Sequence, residues 1–263
     1  MTVNTPILYG GAYHNTITTF DDRTVANIRA SYKFNNWVRV DFNGGINSYG
    51  LFRDQIIDKS SYGGADNPAG NLTEVEYRQQ EINGKILAVF TPKINKDWSL
   101  DVNLGVDVNE RNTRNQVQYG ADFVVRGLYN LRNTRRQRFD GDSRSKRRLV
   151  GLFGDASIGY KNFAFLTVTA REDLTSTLPY AEAQYFYPGI STSIVWSDAL
   201  NLKSSWLDYG KIRAGFARVG KDADPHNTEA IFALNAAGFA GQPLATRGGT
   251  VFDPKLTPNS PQN

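Results

Sequence analysis

The 263-residue chain has no cysteine, one methionine and two histidines. Without cysteine there are no disulfides and no thiolate metal sites, a composition compatible with an oxidising periplasm. His14 and His226 have no partner at metal-ligand spacing. No Gly-x-Ser-x-Gly elbow, phosphate-cradling glycine loop or Cys/His cluster occurs, so neither an enzyme nor a cofactor or metal site is expected. Asp222, Asp224 and Asp253 sit in stretches that read as loops, where Asp is a common turn former. No run of about eighteen apolar residues exists, which excludes a transmembrane helix but not a membrane barrel, whose alternating strands average to a polar composition. The opening MTVNTPILYGGAY lacks a basic head before an apolar core and is not a signal peptide. The last residues, FDPKLTPNSPQN, read as loop, and both ends are those expected of an internal fragment.

What is present is alternation. In Arg147 to Asp173, the residues Val150, Leu152, Gly154, Ala156, Ile158 and Tyr160 share one parity, while Asp155 and Ser157 lie on the other. A period of two makes a strand. Lys161-Asn162 supplies a tight turn, and Phe163 to Arg171 runs back. Each arm is about ten residues long, the length of a tilted strand crossing a bilayer, against about five or six in soluble sheets.

The same unit recurs. Asn27 to Phe34 alternates, Asn35-Asn36 turns with the positive φ that Asn tolerates, and Val38 to Asn47 returns. Ser48 to Asn71 reads as a long loop, then Thr73 to Thr91 as a strand. After a turn at Pro92 to Asp97, the row Trp98, Leu100, Val102, Leu104, Val106, Val108 gives the cleanest alternation, with Asp101, Asn103 and Asp107 between. Glu110 to Lys146 reads as a long, arginine-rich loop. Glu172 to Gln184 reads as loop, Tyr185 to Trp196 as strand, Ser197 to Asp208 as holding a short helical turn, and Lys211 to Val219 as a last strand. The first residues to about Arg23, and everything from Gly220 onward, read as loop.

Short and long connections alternate, as in outer-membrane barrels with short periplasmic turns and long extracellular loops. Phe34, Trp37, Trp98, Tyr160, Phe163, Trp196, Trp206 and Tyr209 gather at the short-turn end, where an aromatic girdle would lie. The fold class expected is all-β: an antiparallel transmembrane β-barrel segment of about eight long strands. Leu100, Val102, Leu104, Val106, Val150, Leu152 and Ile158 are assigned to lipid. Arg39, Asp41, Asp101, Asn103, Asp155 and Arg213 are assigned to a polar lumen, as candidates either to line a substrate path or to pair within the wall.

The charge is +4 and unevenly spread. The arginines of 110–146 are scattered with little aromatic interleaving, which disfavours nucleic acid. They suit anionic lipid headgroups, substrate or a neighbouring subunit. Tyr119, Tyr129 and Tyr180 are placed either to stack on sugars or to pack loops together.

Three segments resemble the SusC/RagA family of TonB-dependent outer-membrane transporters: TFDDRTVANIRASYKFNNWVRVDFNGGINSY, then RRLVGLFGDASIGYKNFAFLTVTARED with LTSTLP and YFYPGISTSIVW, then YGKIRAGFARVGKDADPHNT. The likeness spans about residues 16 to 228. It implies a location in the outer membrane and a barrel of about twenty-two strands around a plug. Residues 1–263 would then be a partial barrel domain, without plug and remaining strands. It further implies an oligosaccharide or oligopeptide cargo, a SusD-like surface lipoprotein as lid, and coupling to TonB through the plug region absent here. Two other readings stay open: a soluble all-β carbohydrate-binding module that buries the Leu100 face against a second sheet, and a complete eight-stranded barrel whose first and last strands pair.

Overall fold

The computed structural model describes residues 14–59, 69–200, 202, 209–220, 222–226, 232–239 and 242–247. Ten strands occur among them: β1 (Thr16–Lys33), β2 (Val38–Ile57), β3 (Asn71–Phe90), β4 (Trp98–Phe123), β5 (Thr134–Tyr160), β6 (Ala164–Thr175), β7 (Gln184–Val195), β8 (Lys211–Ala217), β9 (Phe232–Phe239) and β10 (Gln242–Arg247). The first eight form one sheet in sequence order, and β9 and β10 pair separately. The β5–β6, β6–β7, β7–β8 and β9–β10 pairs are antiparallel. β1 and β8 stand at opposite ends of the order, so the described sheet is open and the complete eight-stranded barrel is ruled out. A four-residue α-helix (Trp196–Ala199) follows β7, where a helical turn was expected slightly later. Trp206 and Asp253 lie outside the described residues.

Several segments read as loop are strand. β1 begins at Thr16, β2 runs on to Ile57, and β6 to Thr175. The arginine-rich stretch is mostly the outer parts of β4 and β5, which reach 26 and 27 residues. Most of the length of these extensions is polar on both faces, so little hydrophobic period marks them as strands; the exception is the end of β4, where Val117, Tyr119, Ala121 and Phe123 alternate with Gln118, Gly120 and Asp122. The β9–β10 pair was missed for a related reason: FALNAAGF is built largely from Ala, Gly and Asn, which are depleted in strands.

The short turns are built in two ways. Lys161 and Asn162 take φ of 44° and 60°, the left-handed pair that matches a two-residue hairpin to strand twist. Asn35 works differently from expectation. Its side-chain oxygen accepts from the N–H groups of Trp37 (2.9 Å) and Val38 (2.8 Å). Asn95 repeats this with Asp97 and Trp98 at 2.9 and 2.8 Å. These are side-chain mimics of a backbone turn, and neither asparagine has positive φ.

The chain divides into two compact units. One contains Met1–Ala26, Ile46–Glu81 and Arg111–Lys146; the other contains Asn27–Gly45, Ile82–Glu110 and Arg147–Asn263. In the first unit, a small core of Leu72, Ala121 and Phe123 is under 3% exposed. Gly70 has φ +80, and a Cβ there would lie 2.7 Å from the Ile57 carbonyl oxygen and 2.8 Å from the Phe123 ring. Asp122 and Phe123 donate their N–H groups to the carbonyls of Gly70 and Ala69 (3.0 and 3.1 Å). Tyr129 packs on Phe123 with ring centroids 5.6 Å apart and donates to Asp58 at 3.1 Å, so it packs loops together. Tyr180 is 98% exposed.

The connection between β4 and β5 is organised by Asn133, which is 8% exposed. Its amide donates to the carbonyls of Val125 (2.7 Å) and Leu128 (2.6 Å) and accepts from Val125 N–H (3.0 Å). Asn133→Ala strands those backbone groups, each costing about 1–3 kcal/mol if it stays dry. Limited proteolysis should then cut within 124–133 at a rate several-fold above the parent, with the rest of the sheet intact.

Candidate functional site

Register makes each face explicit. The pairs Ile158↔Leu166, Leu166↔Thr192 and Thr192↔Ala214 form one row across β5 to β8. Ala156↔Val168, Val168↔Ile190 and Ile190↔Phe216 form the next. Opposed residues point to the same side of a sheet, so even-numbered residues of these strands share an apolar face. Ser157↔Thr167, Thr167↔Ser191 and Ser191↔Gly215 run along the odd-numbered, polar face. Side-chain proximity extends both faces. The Leu104 side chain lies 2.9 Å from where a Gly154 Cβ would be, and Ile28 lies 3.3 Å from that of Gly44, both on the even face. Asn27 and Asn83 flank Gly45 on the odd face.

All seven residues assigned to lipid are on the even face. Leu104, Leu152 and Ile158 are 54%, 57% and 43% exposed, as are many of their apolar neighbours at comparable levels. The rows headed by Leu100 and Val150 are therefore neighbours in one sheet, not two facing layers. That removes the basis of the two-layer soluble module.

The apolar row is bounded. On β4 it ends between Val108 and Glu110, and on β5 between Val150 and Arg148. Beyond it the even face carries ion pairs: Arg148 with Glu110, Arg114 and Arg144 with Asp142 (3.0 and 2.9 Å), Arg136 with Asp122, and Arg138 with Asp140. Arg111 pairs with Glu81 (3.2 Å) on the odd face, and Arg126 lies 3.7 Å from Asp58. The expected basic loop is thus a set of strand extensions whose arginines are largely matched by carboxylates, which disfavours a broad cationic surface for headgroups.

Of the six residues assigned to a lumen, the structure joins four in two pairs. Asn103 donates to Asp155 at 2.9 Å. Arg39 pairs with Asp41 at 3.0 Å, and Ser31 donates to the same carboxylate at 2.6 Å. Arg213 faces Ser193 in the polar row, and Asp101 follows the odd parity of Asn103.

The most concentrated charge on the polar face was not singled out from sequence. Arg171 lies 3.1 Å from Asp107 and 2.7 Å from Asp173, whose side chain is 9% exposed. Its guanidinium is also 5.7 Å from the centre of the Phe153 ring, and Lys85 Nζ approaches that ring at 4.7 Å. The ring lies over Gly105, where any Cβ would fall 2.2 Å from a ring atom. A second group sits at Asp222, which is buried rather than a free turn residue. Arg147 Nε and Nη2 donate to its two oxygens at 2.8 Å each, and the hydroxyls of Thr175 (2.8 Å) and Thr177 (3.1 Å) donate to Oδ2. Burial alone would raise the Asp222 carboxyl. The Arg147 guanidinium and the two hydroxyls outweigh burial and hold it below the usual carboxylate range. Parity could have suggested Asp107 and Arg171 as neighbours on one face, but the reach of Asp222 across the sheet has no sequence signal.

No family model matches the sequence, and no curated protein matches it. Solved structures do. The structure of the RagAB peptide transporter superposes with a TM-score of 0.85 over 94% of this chain, at 12% identity. The fold is that of the RagAB barrel. The chain spans 28% of the length of the RagAB chain that it matches. RagAB in its closed-closed and open-open states matches with TM-scores of 0.82 and 0.81, each at 13% identity. The resemblance drawn from the hairpins is thus borne out in fold, at an identity too low for residues to be transferred.

Two outcomes follow. Arg171→Met leaves Asp173 buried without its cation and should destabilise the folded sheet by about 3–5 kcal/mol. The double variant with Asp173→Asn should recover part of that loss, read from the temperature at which the full-length protein loses its folded mobility in detergent gels. For Asp222, whose carboxyl is lowered on folding, the anchoring is full above the ordinary carboxylate value of about 3.9. It is lost as pH falls through the depressed value, so protease access to 218–226 should rise only in strong acid. Asp224, near Arg147, and Asp173, near Tyr185, are the other carboxylates of this neighbourhood.

Proposed function

We propose that this chain is a lipid-sealed section of the barrel wall of an outer-membrane importer that works with a SusD-like surface lipoprotein and draws energy from TonB through a plug encoded elsewhere. The observation that carries the reading is the even face: on β2 to β5 an apolar row of about nine to eleven residues, at 38–46, 82–90, 98–108 and 150–160, the span of a bilayer crossing, closed by arginine–carboxylate pairs on β4 and β5. A water-soluble sheet has no use for such a band on its exposed side. The odd face supplies the complementary wall, polar and internally compensated, as suits a hydrated passage.

The open edges at β1 and β8 fit this role. Unpaired backbone groups in lipid cost several kcal/mol each, so the wall requires further strands on both sides. A peptide cargo is favoured over a saccharide, because the structures that share the fold are a peptide importer. Aromatics at the short-turn end support the membrane placement: Trp98 and Tyr160 lie 4.7 Å apart, Tyr160 and Phe163 5.6 Å, and Tyr32 and Phe34 4.8 Å. Such rings settle at a headgroup boundary.

The test compares the two faces in the full-length protein. Val102→Arg or Val106→Arg, on the even face, should impair insertion by about 2–4 kcal/mol near the midplane. Asn103→Arg, on the odd face beside Asp155, should be tolerated. Assembly is read from the heat-modifiable folded fraction in outer-membrane preparations, and equal effects on both faces would overturn the reading.

A further inference from the structure

The segment that leaves β8 does not continue outward in line with the strand. Arg218 N–H still bonds the Pro188 carbonyl at 3.0 Å, one step past the last β7–β8 pair. Gly220 then lies over Tyr187 on the polar face: the Tyr187 hydroxyl donates to the Gly220 carbonyl at 3.1 Å, and a Cβ at Gly220 would fall 2.9 Å from the ring. Asp222 reaches the hydroxyls of Thr175 and Thr177 at the end of β6 and the guanidinium of Arg147 on β5. The path therefore runs from β8 over β7 to β6 and β5. Strands are about 4.8 Å apart, so β6 is about 10 Å and β5 about 14 Å from β8. Five residues after Ala217 can span at most about 17 Å. The segment is long enough to reach β6, and the Asp222 and Arg147 side chains bridge the rest of the way to β5.

Its anchor is built rather than incidental. Thr175 and Thr177 are 3% and 4% exposed, and the Asp222 side chain is 8% exposed. Four donors converge on one carboxylate, two of them from a guanidinium in bidentate geometry, the strong form of such a contact. Tyr187, Arg147 and Thr175 share the odd parity of the polar face. An outward loop would have no reason to bury an aspartate there.

We propose that the chain through Arg218, Gly220 and Asp222 forms a strap across the polar face, latched by Asp222 to Arg147, Thr175 and Thr177, which narrows the passage and sets the width of cargo that the wall admits. This rests on the importer reading for its consequence, but the strap itself is testable without transport. Releasing Asp222 frees the segment from β5 and β6 while β8 keeps its pairing to β7, so the passage widens without loss of the wall.

The experiment uses the full-length protein in intact cells, in a background with any other cysteines replaced by serine. Thr169→Cys, an exposed position of the polar face inward of the latch, is labelled with maleimides of increasing mass. In the parent, the small reagent should react at least ten-fold faster than a bulky polyethylene-glycol maleimide. Adding Asp222→Ala should narrow that ratio several-fold, and Asp222→Asn less so. An unchanged ratio in a variant with normal folded mobility overturns the strap. If Asp222→Ala fails to fold, Thr175→Val with Thr177→Val replaces it, and the same ratio decides. Failure of the parent to take up any oligopeptide would sink the importer reading and leave these readouts standing.

Discussion

Backbone hydrogen bonding is the constraint on which everything else rests. Where water is excluded, each N–H and C=O must find a partner inside the protein, and an antiparallel ladder provides this without help from side chains. Eight strands in sequence order satisfy one another through neighbouring hairpins. Because the ladder holds the sheet, neither face has to be a protein core. One can be apolar and outward, the other polar and wet, and the side-chain period of two keeps them apart. This is why so few large residues are buried: the core residues lie mainly under the loops, at Leu72, Ala121, Phe123, Leu178 and Ala183, with Val195 at the end of β7.

A polar face of this kind has to avoid presenting uncompensated charge. It does so locally. Arg171 is shared by Asp107 and Asp173, Arg39 serves Asp41, and Arg147 serves Asp222. Ring faces hold cations as well: Lys85 lies over Phe153, and Arg138, already paired with Asp140, lies over Tyr119. Gly105 makes the first of these possible, since only a residue without a side chain lets the ring lie flat between β3 and β5.

The same economy governs the long extensions of β4 and β5. Past the apolar row they carry alternating charges, and β5 extends beyond the last β6 partner at Leu149↔Thr175. Residues 134–147 thus have no β6 partner on that side. Arg136, Arg138, Asp140, Asp142 and Arg144 there form the kind of charged margin that discourages other chains from adding to a free edge. Charge in this part of the molecule serves cohesion along the strands and protection of the edge. The strap after β8 applies the same chemistry across strands, turning a loop aspartate into a cross-link between non-adjacent elements.

The hairpins were legible because half of their residues alternate between oil and water, as in Val102-Asn103-Leu104 and Ala156-Ser157-Ile158. Asp155 and Asn103 shared a parity in sequence and proved to be hydrogen-bonded. Most of the length of the extensions was not legible, because a strand that is wet on both faces has no hydrophobic period to read; the alternation of Val117, Tyr119, Ala121 and Phe123 at the end of β4 was the one signal there. Asn35 marked a turn correctly, although it works through its side chain instead of through a positive φ. The sequence by itself determined which residues share a face, since that depends only on the intrinsic pleat of a strand. Only the tertiary structure decided which charges meet. Register and the path of the chain after β8 set Arg171 between its two aspartates and carry Asp222 to Arg147, 75 positions away, and neither is encoded in local spacing.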